Sequence, residues 1–276
     1  ISFSSNPNGA TFNWTNTLTS IGLAANGTGN IPSFTTQNSG STSLSSTIQV
    51  VPTLNGCSGN SGNFNITILP IPSINALSNQ VVCDGAGVAA TLPQSSNAGT
   101  TFSWTNSNTG IGLTGAGSST IPAFTAVNTG SAVTTANIVV TPSLNGCDGN
   151  AGSYTITVNP LPQAILPSSQ VVCDGASVAS SVLSSNPSGA SYSWTNSLST
   201  IGLPSSGTGN IPGFVANNIT SGLVAATITV VPSLNGCSGN SSNYTITVNP
   251  VATVSLPANI EICAGSTVAA SNFISV

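Results

Sequence analysis

Across 276 residues there is no Lys, Arg, His or Met, and only four side chains carry a carboxylate: Asp84, Asp148, Asp174 and Glu261. An ordinary soluble domain is about one quarter charged, so whole classes of function fall away. Nucleic-acid binding needs cations to neutralise phosphates, general acid–base catalysis needs His, Lys or paired carboxylates, and zinc needs clustered Cys or His; the chain is expected to be no enzyme and to hold no cofactor or metal.

Apolar runs of about five residues are too short for a membrane-spanning helix, which needs about twenty. An aromatic content of 5% is thin for the girdles of a transmembrane barrel. Disorder is excluded by composition as well, because stretches such as Thr135–Thr141 and Tyr154–Val158 are rich in Ile, Val and Thr, the residues of a pleated, half-buried surface.

A set of landmarks recurs every 90 residues. In chain order these are Trp14, Trp104 and Trp194, then Ile21-Gly22, Ile111-Gly112 and Ile201-Gly202. Next come Ile31-Pro32, Ile121-Pro122 and Ile211-Pro212, with Phe34, Phe124 and Phe214 two residues after each Pro. Asn-Gly-Cys follows, ending at Cys57, Cys147 and Cys237, and Pro70, Pro160 and Pro250 close each unit. A fixed period of this length marks tandem domains. The expected division is 1–70 as an incomplete repeat, 71–160 and 161–250 as complete ones, and 251–276 as the start of a further one. Pro-x-Pro at Pro70–Pro72 and Pro160–Pro162 predicts extended, semi-rigid connectors.

Within a unit the strand signal is alternation. Phe102 and Trp104 share one face, as do Ala136, Ile138 and Val140, then Tyr154, Ile156 and Val158. Period-two patterning between Gly, Asn, Pro and Ser predicts short strands, and no segment carries a helical stripe. The fold class is therefore all-β: tandem immunoglobulin-like sandwiches, beads on a string, with Trp14, Trp104 and Trp194 as core residues. A sugar-stacking role is the other reading of these tryptophans. Pro52, Pro142 and Pro232 fall in the penultimate strand, which is expected to end or bulge there because Pro cannot donate to a ladder. With so little charge, the exterior is expected to consist of Ser, Thr, Asn, Gln and Gly.

The cysteines alternate spacings of 26 and 64 through Cys57, Cys83, Cys147, Cys173, Cys237 and Cys263. The Asn-Gly-Cys turn of the last hairpin is expected where the chain comes into its domain, and Val-Val-Cys at the start of the unit is expected at that same end. The expected bonds are thus Cys83–Cys147 and Cys173–Cys237, inside domains. Pairing Cys57 with Cys83 would have to span a final strand and a linker, beyond the roughly 7 Å Cα separation a disulfide allows. Cys57 and Cys263 are left to pair outside this sequence, or with each other between copies if 251–276 completes a neighbour's first domain by strand donation. Disulfides point to an oxidising, extracellular location. Asp84 and Asp148 flank one expected bond and are read as solvated loop residues, with a calcium pair as the alternative. The sequons at Asn13, Asn26, Asn65, Asn218, Asn240 and Asn243 do not repeat across all units and are read as products of composition.

The order Val-Cys-Asp-Gly, Trp-Thr-Asn, Asn-Gly-Cys-x-Gly-Asn and Thr-Ile-Thr-Val-Asn-Pro resembles the PKD-like, Ig-like repeats of giant Bacteroidetes surface proteins. These include type IX-secreted adhesins and gliding-motility filaments. The resemblance covers essentially the whole chain. It implies β-sandwich beads, one disulfide per bead, and a place in adhesion or surface display, but not that these particular beads bind anything. From the residues themselves, the expected partners are neighbouring repeats or other copies in a filament, with a glycan held by Asn/Ser loops and aromatics as the alternative.

Overall fold

The computed structural model describes residues 1–254 and 256–269; the end of the expected fourth repeat, 251–276, lies in part outside them. Two compact units make up the chain. One comprises 1–81, 85–127 and 135–157, and the other 82–84, 128–134 and 158–276. The structure is all-β, as the alternation predicts. Among the described residues its helical content is confined to the single 3-10 turns Thr19–Ile21, Thr109–Ile111 and Ser199–Ile201.

The third repeat shows the plan. Its principal sheet runs Gln170–Cys173, Ser242–Asn249, Val224–Leu234, Ser191–Asn196, Ser206–Thr208, with the short strand Cys237–Ser238 folding back on the end of Val224–Leu234. Opposite lie two short pairs, Ser177–Val178 with Phe214–Val215 and Gln163–Ile165 with Ser184–Asn186. Between them Trp194, Ile201, Leu203, Ile211, Ile228, Val230, Tyr244, Ile246 and Val248 form the core. Alternate residues point inward along each strand, which is how Ala226, Ile228 and Val230 are buried together. The second repeat carries the same strand order, and Ala136, Ile138, Val140, Tyr154, Ile156 and Val158 are all buried there. In the first repeat Trp14, Ile21, Leu23, Ile31, Ile48 and Val50 make the core.

Trp14, Trp104 and Trp194 are each 3% exposed. Each faces a glycine on the adjoining strand: Gly27, Gly117 or Gly207. A Cβ on any of these would stand 2.2–2.5 Å from the indole Cζ2. The bare backbone is therefore the floor on which the indole lies.

The penultimate strand does not end at its proline, contrary to one of the sequence expectations. Val224–Leu234 runs through Pro232, which faces Tyr192. The Tyr192 carbonyl accepts from Gly209 N on its other side, so Pro232 needs no donor toward that neighbour. On its opposite edge the ladder changes partner, from Val230 facing Ser242 to Ser233 facing Ser238. The missing N–H falls in this gap, and the bulge lies in the facing chain, where Gly239 N donates to Pro232 O at 2.8 Å.

The Pro-x-Pro stretches also pack more closely than a spacer would. Pro72 and Pro162 are buried, and a Cβ on Gly149 or Gly239 would lie 1.8 or 1.7 Å from the Pro72 or Pro162 carbonyl oxygen. The second Gly of Asn-Gly-Cys-x-Gly admits the backbone of its own repeat's leading segment.

Candidate functional site: a disulfide junction and its asparagine ties

The bond in the structure is Cys83–Cys237, with Cα atoms 5.6 Å apart and a sequence separation of 154. Both residues belong to the second compact unit. Cys147 and Cys173, the partners expected from sequence, are free thiols, as are Cys57 and Cys263. The correction has a simple cause. The first strand of a repeat runs parallel to its last strand: Gln170 pairs with Ile246 and Cys173 with Asn249. Val-Val-Cys therefore finishes where the chain leaves the domain. The Asn-Gly-Cys turn sits at the other end, with Cys237 facing Leu234. From Val224, which faces Val248, to Leu234 the strand covers about 33 Å at the usual rise. An intra-repeat bond is out of reach, and the cysteine within reach belongs to the hairpin of the following repeat.

The turn that presents Cys237 is built locally. Asn235 and Gly236 both take positive φ, 51° and 79°, the Asn-Gly pattern of a tight two-residue hairpin. Cys237 is 1% exposed. Around Cys83, Asp84 N donates to Asn159 O at 2.9 Å, and Asn159 Nδ2 donates to Asn235 O at 3.5 Å.

Asp84 and Asp174 hold this end of their repeats together. The Asp84 carboxylate accepts the Asn128 backbone N–H at 2.7 Å, and Asp174 accepts that of Asn218 at 2.8 Å. Both asparagines are buried. Asn218 Nδ2 donates to Gly222 O and Val248 O, each at 2.8 Å, and Asn128 makes the same pair of bonds to Ala132 O and Val158 O. Among the described residues no three His, Cys, Asp or Glu gather into a metal-binding group. Asp84 acts here as a backbone tie.

A second asparagine per repeat anchors the opposite loop. Asn196 Nδ2 donates to Leu203 O at 2.9 Å and Leu198 O at 3.1 Å, while its Oδ1 accepts from Leu198 N at 3.0 Å. Asn16 and Asn106 hold the equivalent loops. These asparagines are buried, in addition to those that help make up the polar exterior. Sequence reasoning missed these residues although Trp-Thr-Asn was in view, because a polar residue beside a strand gives no sign that it faces inward. Replacing Asn196 with Ala strands buried carbonyl and amide groups and is expected to cost about 1–3 kcal/mol. Replacing exposed Asn240 should change stability by less than about 0.5 kcal/mol; urea unfolding of both variants checks this.

Burial pushes the phenols of Tyr154 and Tyr244 above their ordinary value. The folded state therefore holds these protons more tightly than the unfolded chain. Their contribution is intact below about pH 10, and it is lost as pH rises through the folded pKa, because the unfolded chain ionises first. With no His, Lys or Arg present, thermal stability is expected to be level from about pH 6 to 9 and to fall above about pH 10. Melting curves across that range, repeated with Tyr244→Phe, check it; the variant should show a shallower alkaline fall.

Sandwiches of short strands around one buried Trp, repeated at a fixed interval, define a tandem immunoglobulin-like repeat protein. Residues 80–162 and 170–252 match the PKD-like domain, and the chain belongs to that family. No curated protein matches it. Among solved structures it is similar to DIP-gamma IG1+IG2, at 10% identity over 66% of this chain and 98% of that one with a TM-score of 0.37. It is also similar to protocadherin gammaB7 EC3-6, at 14% identity over 94% and 71% with a TM-score of 0.36. Mouse cadherin-23 EC22-24 gives 10% identity over 87% and 86%, with a TM-score of 0.34. PKD-like domains are structural or adhesive modules, and with a disulfide they suit an extracellular setting. Among the described residues no helix is long and apolar enough to cross a membrane.

Proposed function

We propose that the chain is a structural segment of an extracellular stalk or filament, part of a bacterial surface adhesin, in which PKD-like beads serve as spacers. Its beads are 1–70, 71–160 and 161–250, with 251–276 beginning another. The observation that carries this reading is the Cys83–Cys237 bond, which ties one repeat to the hairpin of the next. A binding module has no need of such a tie, whereas a load-bearing spacer gains from it. The near absence of charge adds support: a surface with little to screen or titrate keeps its properties across salt and pH.

A glycan platform built on the tryptophans is disfavoured, because all three indoles lie in the core. Electron microscopy of the native material tests the reading. Beaded fibres with an axial repeat of roughly 35–45 Å, judged from strand rise, are expected. Compact isolated particles that bind a glycan would overturn it.

A further inference from the structure

The six cysteines fall into two classes whose members share one backbone setting. Cys83 and Cys173 both end a Gln-Val-Val-Cys strand, and Cys263 precedes Ala-Gly-Ser in the corresponding place. After Cys83 and Cys173 the next residue, Asp84 or Asp174, donates its N–H to Asn159 O or Asn249 O, each at 2.9 Å. Each of these carboxylates accepts the N–H of the equivalent asparagine. Cys57, Cys147 and Cys237 follow Asn-Gly turns with φ of 49° and 83°, 49° and 83°, and 51° and 79°. Each faces a leucine in register: Leu54, Leu144 or Leu234.

One cysteine of each class is bonded, Cys83 to Cys237, across 154 residues. At that separation no residue of this sequence answers the other four. Cys57, Cys173 and Cys263 are exposed, and Cys147 is half-buried. Cys237 shows what the same turn looks like when its partner is present, at 1% exposed.

We propose that Cys83–Cys237 is one rung of a periodic series joining each PKD-like repeat to the next. Cys173 and Cys263 bond the Asn-Gly-Cys cysteine of a following repeat, and Cys57 and Cys147 bond the Val-Val-Cys cysteine of a preceding one. The partner is a further repeat of this same kind, supplied by the same polypeptide or by a second copy set head to tail. Each rung forms when two thiols give up two electrons and two protons to an oxidised thiol–disulfide oxidoreductase. That oxidant's own disulfide leaves as a dithiol, and one new S–S bond remains.

The test is disulfide mapping of the protein isolated from its source with free thiols blocked by N-ethylmaleimide at lysis. Chymotrypsin or pepsin would be used for digestion, because a chain without Lys or Arg offers trypsin nothing. Peptides carrying Cys147 and Cys173 are expected almost entirely in cross-links, each to a cysteine of the opposite class in an adjacent repeat. Recovery of Cys147 and Cys173 as maleimide adducts would overturn the proposal. So would cross-links within one repeat, such as Cys83–Cys147, or between two cysteines of one class. Growing mixed populations on light and heavy nitrogen separates the two sources: isotopically mixed cross-links mean a second copy, and unmixed ones mean the same polypeptide.

Discussion

Replacing Cys83 or Cys237 with Ser is expected to lower the stability of the unit containing residues 158–276 by about 2–5 kcal/mol, with the double variant no worse than either single one. The chain-entropy argument puts closure of a 154-residue loop near the top of that range, about 5 kcal/mol. Local packing works in the same direction, since Cys237 is 1% exposed and a serine hydroxyl there loses water without gaining a partner. Guanidinium unfolding of the wild type and both variants, with and without reductant, measures the effect. A change within about 0.5 kcal/mol, the range of an inert surface substitution, would show that the bond does not constrain the unfolded ensemble.

The second large effect is expected at Trp194. Replacing it with Ala removes the largest side chain of the third repeat's core, where it packs with Ile201, Leu203, Ile211 and Ile228. Truncations of this kind cost about 3–5 kcal/mol, a large share of a typical domain's 5–15 kcal/mol. The neighbouring glycine supplies a sharper measurement. Gly207→Ala places a Cβ 2.2 Å from Trp194 Cζ2 and is expected to cost about 1–3 kcal/mol by overpacking. In the double variant the same methyl enters the space the indole has left. The combined cost should therefore fall below the sum of the single costs by at least about 0.5 kcal/mol. Strict additivity would mean that Trp194 and Gly207 are not in contact in solution.

Much of this architecture can be read from residues alone. Trp104, Ile111-Gly112 and Cys147 announce the period, and alternation at Ala136, Ile138, Val140, Tyr154, Ile156 and Val158 assigns strands and their inner faces. The pairing of the cysteines was not legible. Alternation in Gln170–Cys173 says which side chains face in, but it is blind to whether the strand lies parallel or antiparallel to its neighbour. That one choice moves Cys173 from one end of the sandwich to the other. The buried polar ties were hidden for a related reason. In a chain so rich in Asn, neither Asn196 nor Asn218 stands out, and only the loop carbonyls they collect reveal that they face inward. The Trp–Gly contacts also need register, since Trp104 and Gly117 meet only once their two strands are paired.

The Cys83–Cys237 bond also decides which part of the chain can feel force. Tension applied at the two ends of the polypeptide would pass from residue 83 to residue 237 through a sulfur–sulfur link. Everything in between, most of the second repeat and most of the third, is then bypassed. At about 3.4 Å per extended residue, that segment is roughly 500 Å of contour length withheld from the pulling coordinate. Stretched under oxidising conditions, the chain should give extension only from outside this loop. Addition of a reductant should release the withheld length as new unfolding steps. The same covalent bond that closes a junction thus keeps most of two repeats mechanically silent until electrons arrive.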